Sequence, residues 1–293
     1  MNAADTIRSQ DEEGERIVPA EACATCGHAG EVAIDGSHYP PVYALGKVEY
    51  RFPTLGTEKE LAQAIGRGNA DGLTDRRAVY ETLKEHRYLA RRMCYVMVIG
   101  GLETYLLQPR DPMDLDLLVD AVRPTGRASD MDAVVGVRGP VAPPERCNGL
   151  TVPVVVFDQL YSFDAEELRR SIPRPEGVDE ESFLDTADEI LNRITALGDN
   201  AGMTEEDRAL NYLALRYQRI YSATLEAYGR NESLSSIEVR PAALRGTRRL
   251  VDVVFSYTDR STDVTQRYGV RVDVTELFPF LVTKFSPYVD RTS

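Results

Sequence analysis

MCYVMVIGGLETYLLQPRDPMDLDLLVD, residues 93 to 120, can be folded in two ways, and the class of the protein turns on which is correct. In the first, two apolar runs flank Gly100-Gly101, and a Gly-Gly pair supplies the backbone that a two-residue hairpin turn demands. Asp111-Pro112-Met113-Asp114 then has the order of a helix start: an acid as cap, proline at the first helical position, an acid in the first turn. Asp114 and Asp116 are placed where the helix dipole favours them. Two residues apart on a helix is about 200° of rotation, so these carboxylates cannot share one metal ion.

The second way resembles the nucleotidyltransferase signature, a Gly-Gly or Gly-Ser turn followed by two carboxylates on a strand. On a strand Asp114 and Asp116 point the same way and can share a magnesium ion, with Asp252 or Asp273 as a third ligand. The helix start gives every residue of DPMD a role and leaves the glycines their hairpin. Hairpin followed by helix is therefore the expectation, and Asp114/Asp116 are the residues a nucleotidyltransferase would use.

The chain has 293 residues and is 43% apolar, enough for a real core in one large domain or two intimately packed ones. Its net charge of −13, with no basic patch beyond pairs such as Arg91-Arg92 and Arg248-Arg249, argues against a nucleic-acid partner. No apolar run approaches the roughly 20 residues that span a bilayer, so no membrane partner is expected. The polar N-terminus lacks the apolar centre of a secretory signal. The four cysteines are too few for a disulfide scaffold, and reduced thiols in the cytoplasm are expected.

Along the chain, residues 1–39 read as a flexible N-terminal segment and 40–52 as a strand. A helix capped by Thr57, with Glu60 closing a capping box, follows, and 74–92 reads as one helix capped by Thr74. AVVGVRG and LTVPVVVFDQLYSF look like buried strands. The second half opens with helices from Asp164, over 180–198 and from Thr204 to Gly229, and ends in strands over 235–241, 249–257 and 267–274. Such clustering predicts an α+β fold with a mixed or antiparallel sheet. Two subdomains, about 40–163 and 164–293, are the natural subdivision.

Catalytic motifs are missing. Only His28, His38 and His86 are present, with no nucleophile elbow, Walker loop, Gly-x-Gly-x-x-Gly or His-Glu-x-x-His. No catalytic residue is assigned.

VYALGKVEYRFPTLGTEKELAQAIGR, RYLARRMCYVMVIGGLETYLLQPRDPMDLDLLVDAVRP, DNAGMTEEDRALNYLALRYQRIY and VRVDVTELFPFLVTKFSPYVDR, with the segments between them, resemble the C-terminal domain of the cyanobactin maturation protease family, the PatA/PatG type. The resemblance is collinear over roughly residues 40 to 291. It implies an accessory domain in pathways that make ribosomal peptides which are proteolysed and macrocyclised. In the family a separate subtilisin-like domain cuts and closes the ring, and that domain is not found here, so its peptidase activity is not carried over.

ACATCGHAG, residues 22 to 30, adds a metal question, because Cys23-x-x-Cys26 is half of a tetrahedral zinc site. Cys94 and Cys147 can supply the rest, and His28 is a rival fourth ligand. Four thiolates close the site and make it structural. The expected function is a non-catalytic binding protein with a structural zinc, holding a precursor peptide or the enzymes that act on it. Tyr43, Tyr50 and Phe52 are candidates to receive an extended segment by strand addition. The alternative is an enzyme of the same pathway: a zinc-dependent hydrolase with Glu145 near Cys147 as base, or the nucleotidyltransferase above. A homodimer is left open.

Overall fold

The structure is a computed structural model describing residues 39–66, 75–124, 130–163, 180–197, 199–242 and 246–289. In chain order the elements are β1 (Pro41–Arg51), α1 (Leu55–Ala64), α2 (Arg76–Glu85), α3 (Arg87–Arg92), β2 (Cys94–Ile99), β3 (Leu102–Pro109), α4 (Leu115–Ala121), β4 (Met131–Val141), β5 (Pro153–Phe163), α5 (Glu180–Leu197), α6 (Glu205–Arg216), α7 (Arg219–Gly229), β6 (Glu232–Pro241), β7 (Leu250–Asp259), β8 (Thr265–Asp273), β9 (Phe280–Leu281) and β10 (Ser286–Pro287). The fold is α+β, as expected.

The decisive stretch is a hairpin followed by a helix. Gly100 and Gly101, at φ 57° and 82°, turn β2 into β3. The Asp111 carboxylate accepts from the Met113 N–H at 2.8 Å, and a single 3-10 turn, Pro112–Asp114, leads into α4.

Two sheets form rather than one. β1, β2, β3, β5 and β4 close into a five-stranded barrel in which only β3 and β5 pair in parallel. The second sheet runs β10-β8-β7-β6, with β9 also on β8. Closure depends on β1 dividing its edge: Pro41–Gly46 pair with β4, and Lys47–Arg51 pair with β2. At the handover a Cβ on Gly46 would lie 2.4 Å from the Val98 carbonyl oxygen, so this position admits only glycine.

Alternate residues of β1 serve two cores. Val42, Ala44 and Val48 pack with the helices α1–α4 through Leu61, Leu83 and Leu118. Tyr43 and Leu45 face the other way and pack with Ile190, Leu213 and Phe255 of α5, α6 and β7. β4 does the same, with Val134 on one side and Ala133 and Val135 on the other. Burial on both faces is why these strands read as nearly unbroken apolar runs.

The loop after α5 is tied to β1. Leu45 N–H donates to the Asn200 carbonyl at 2.8 Å, and the Asn211 amide of α6 donates to the Tyr43 carbonyl at 2.8 Å. Gly202, at φ 63°, passes so close that a Cβ on it would lie 1.9 Å from the Tyr43 carbonyl oxygen. On α6, Arg208 is only 1% exposed. Its guanidinium donates to the carbonyls of Val274 at 2.9 Å, Glu276 at 2.5 Å and Leu277 at 3.0 Å, latching the segment after β8.

Several boundaries need correction. α1 starts at Leu55 under a Thr54 cap, and Thr57 is buried with its N–H donated to that cap at 3.2 Å. The helix expected over 74–92 is two: Asp75 caps α2, and His86 at φ −115°, ψ 72° breaks the chain before α3. The helix from Thr204, which does cap α6, likewise breaks at Tyr217, at φ −122°, ψ 81°. No glycine or proline marks either break, so propensity could not show them. Thr74 and the helix from Asp164 lie outside the described residues.

Candidate functional site

A groove of about 610 Å³ lies between the β1–β2 side of the barrel and α5. Its apolar lining comes from Leu45, Val98, Ile99, Met131 and Leu191. The hairpin tip contributes Gly100 and Gly101, so one rim is bare backbone. Polar groups enter from β1 (Lys47, Glu49), from Asp130 before β4, and from Asp188, Asn192 and Thr195 on α5 with Asn200 beyond it.

Two of these side chains have buried oxygens lacking a hydrogen-bond donor among the described residues: Asn200 Oδ1 and Asp130 Oδ1. Asn200 Nδ2 donates to the Thr195 carbonyl at 3.0 Å, which decides which end of the amide is the oxygen. Glu49, by contrast, is paired with Arg76 at 2.9 Å.

Next to Asp130, Asp132 replaces a strand neighbour. Where β1 leaves β4, the Asp132 carboxylate accepts from the Val48 N–H at 2.7 Å and from the Ser162 hydroxyl at 2.5 Å. Burial raises its pKa above the ordinary carboxylate range, against those two hydrogen bonds. The folded state therefore holds this proton more readily than the unfolded chain does. Its contribution to stability falls as pH rises from the unfolded value, near ~4, through the raised folded one. Asp132→Asn, which turns an N–H donor toward Val48 or Ser162, is expected to cost about 1–3 kcal/mol at neutral pH. The gap to wild type should widen on acidification through that window. Urea unfolding of both proteins across pH checks this, and a gap that is flat with pH would refute it.

The structure brings two of the expected zinc ligands together. Cys94, at the start of β2, and Cys147, after a short turn at Pro144–Arg146, are buried and joined as a disulfide with Cα atoms 6.1 Å apart. Reduced, the same placement presents two thiols to one ion, which fits two corners of a tetrahedron. Cys23, Cys26 and His28 lie outside the described residues, within which no group of three or more His, Cys, Asp and Glu could hold a metal. Glu145 is exposed on the turn before Cys147.

The other candidates are dispersed. Asp114 and Asp116 stand at the helix start, with Asp116 3.1 Å from Arg87. Asp252 pairs with Arg271 at 2.6 Å and Asp273 with Arg248 at 3.0 Å, both in the second sheet. Tyr43 is no exposed receptor for a peptide: it is buried, with its hydroxyl 2.5 Å from that of Tyr161. Tyr50 and Phe52 are half-buried and pack edge to face, 5.8 Å apart. Asn200 was hinted at only by the turn-forming run DNAG, and Asp130 by nothing local.

A five-stranded barrel whose first strand packs one face against the helices that back a second sheet defines a mixed α+β domain. Two family models match it, described as "PatG Domain" over residues 41–140 and "PatG C-terminal" over residues 177–288. The chain is a PatG-type C-terminal domain. A solved structure titled "PatG Domain of Unknown Function" shares the fold, with a TM-score of 0.71 at 22% identity over 85% of this chain and 99% of that one. No curated protein matches. Among the described residues no helix is long and apolar enough to cross a membrane.

Proposed function

We propose that this domain is a non-catalytic binding module of a cyanobactin-type pathway, holding a precursor peptide or a maturation enzyme, with one structural zinc. The membership in the PatG family supports the pathway, and the groove of about 610 Å³ carries the binding role. Calorimetry of the whole chain against the precursor and each maturation enzyme tests the binding. Heat from at least one of them is expected, and silence from all would end the reading.

Cys23, Cys26, Cys94 and Cys147 would hold the zinc, with His28 the rival to one of them. A reducing cytoplasm keeps Cys94 and Cys147 as the thiolates a metal needs. Zinc uptake is expected to require prior reduction of the pair and to reach one ion per chain. Cys94→Ser and Cys147→Ser should each lose that stoichiometry and melt several degrees lower, and the metal should leave as pH falls and thiolates protonate. Elemental analysis with thermal melts checks this. A fully reduced protein that stays metal-free and melts identically in chelator would refute it.

A further inference from the structure

We infer that the groove between β1–β2 and α5 takes an extended peptide segment carrying a basic side chain, whose N–H groups complete Asn200 and Asp130. The inference rests on the binding reading above for the peptide nature of the ligand, and adds its chemistry and its place.

The size fits, since ligand sites run to about 300–1,000 Å³. The shape fits an extended chain, because Gly100 and Gly101 form a rim without side chains and let another backbone approach. The apolar lining from Leu45, Val98 and Leu191 offers burial to alternate side chains.

The polar chemistry is one-sided. A buried acceptor left without a donor costs about 1–3 kcal/mol, and the groove carries two, Asn200 Oδ1 and Asp130 Oδ1. Both ask for a donor, which an anion cannot supply. The oxygens are screened from water in the free protein, so a small side-chain rotation must present them to the ligand. Carboxylates of Glu49, Asp130 and Asp188 face one ammonium, Lys47, along the walls. Glu49 is paired with Arg76, while Asp130 keeps an oxygen without a donor, which a cation from outside can supply. A guanidinium there forms a charge-assisted bond about twice as strong as a neutral one. Lys47, on the β1 wall, suits a main-chain carbonyl of the same segment. The net charge of −13 draws a cationic segment in.

The test uses fluorescence anisotropy on the full chain with a labelled, extended hexapeptide containing one arginine, and its twin with norleucine in that place. The arginine peptide should bind at least tenfold tighter. Asp130→Asn should erase most of that preference, while Asn192→Trp, which puts bulk into the groove from an exposed position on α5, should abolish binding without lowering the melting temperature. Equal affinity for the two peptides, or undiminished binding to Asn192→Trp, overturns the inference. So does free arginine amide binding as tightly as the peptide, which would make the ligand a small cation. If the precursor binds wild type and Asn192→Trp alike, the groove assignment fails and the binding reading stands. If the arginine peptide binds in the groove but no precursor or enzyme does, the groove stands and the pathway reading fails.

Discussion

Arg208→Ala should lower the stability of the domain by on the order of 3–5 kcal/mol, read as a shift of the urea midpoint at unchanged slope. Two losses combine. The side chain is 1% exposed, so its removal leaves a cavity. The carbonyls of Val274, Glu276 and Leu277 also lose their donor, the first in a buried place and the other two in partly buried ones. Burial pushes the guanidinium pKa down to about 10, which leaves it charged at neutral pH and its bonds charge-assisted. Arg208→Lys keeps the charge but gives up the planar fork, so it should recover only part of the loss. Hydrogen exchange should localise the damage, with the Val274 N–H, which donates to Arg249, exchanging early. A cost below about 1 kcal/mol would mean that the latch contributes no more than a surface residue.

Gly202→Ala should be comparably damaging, and Gly101→Ala should not. Both glycines have positive φ, at 63° and 82°, so alanine strains the backbone at each by roughly 1–2 kcal/mol. They differ in what surrounds them. A Cβ at Gly101 meets nothing within 4 Å, whereas one at Gly202 would lie 1.9 Å from the Tyr43 carbonyl oxygen. Relief requires the loop to leave β1, which breaks the bonds from Leu45 N–H to Asn200 and from Asn211 to Tyr43. The difference between the two variants therefore isolates the close approach. Thermal melts of the pair measure it, and equal destabilisation would show that the loop yields without cost.

What was legible in the chain was what is local. Gly100-Gly101 announced its hairpin and Asp111-Pro112 its helix, because turn and cap chemistry lie within a few residues. The apolar runs of β1, β4 and β5 were visible as strands, but nothing in them says that 41–46 pairs with 132–137 to close a barrel. The breaks at His86 and Tyr217 are single non-helical residues with no glycine or proline to mark the place, so local propensity does not reveal them. The proximity of Cys94 and Cys147, 53 residues apart, was inferred from counting ligands rather than from any pattern around them. The groove was out of reach altogether: Asp130, Asn192 and Asn200 become neighbours only after β4, α5 and the loop beyond have all docked on the barrel.

β1 has a further consequence while the chain is being made. Tyr43 and Leu45 are apolar on the face opposite Val42 and Ala44, and their partners, Leu213 and Phe255 among them, lie far along the chain. At roughly 5–20 residues per second, the ribosome needs on the order of ten to thirty seconds after β1 emerges to reach α6. A barrel closed during that interval carries Tyr43, Leu45, Ala133 and Val135 as a bare apolar strip. The half-made domain is thus adhesive toward other nascent chains, and its yield in a cell is governed by how long that strip waits and by what shields it meanwhile.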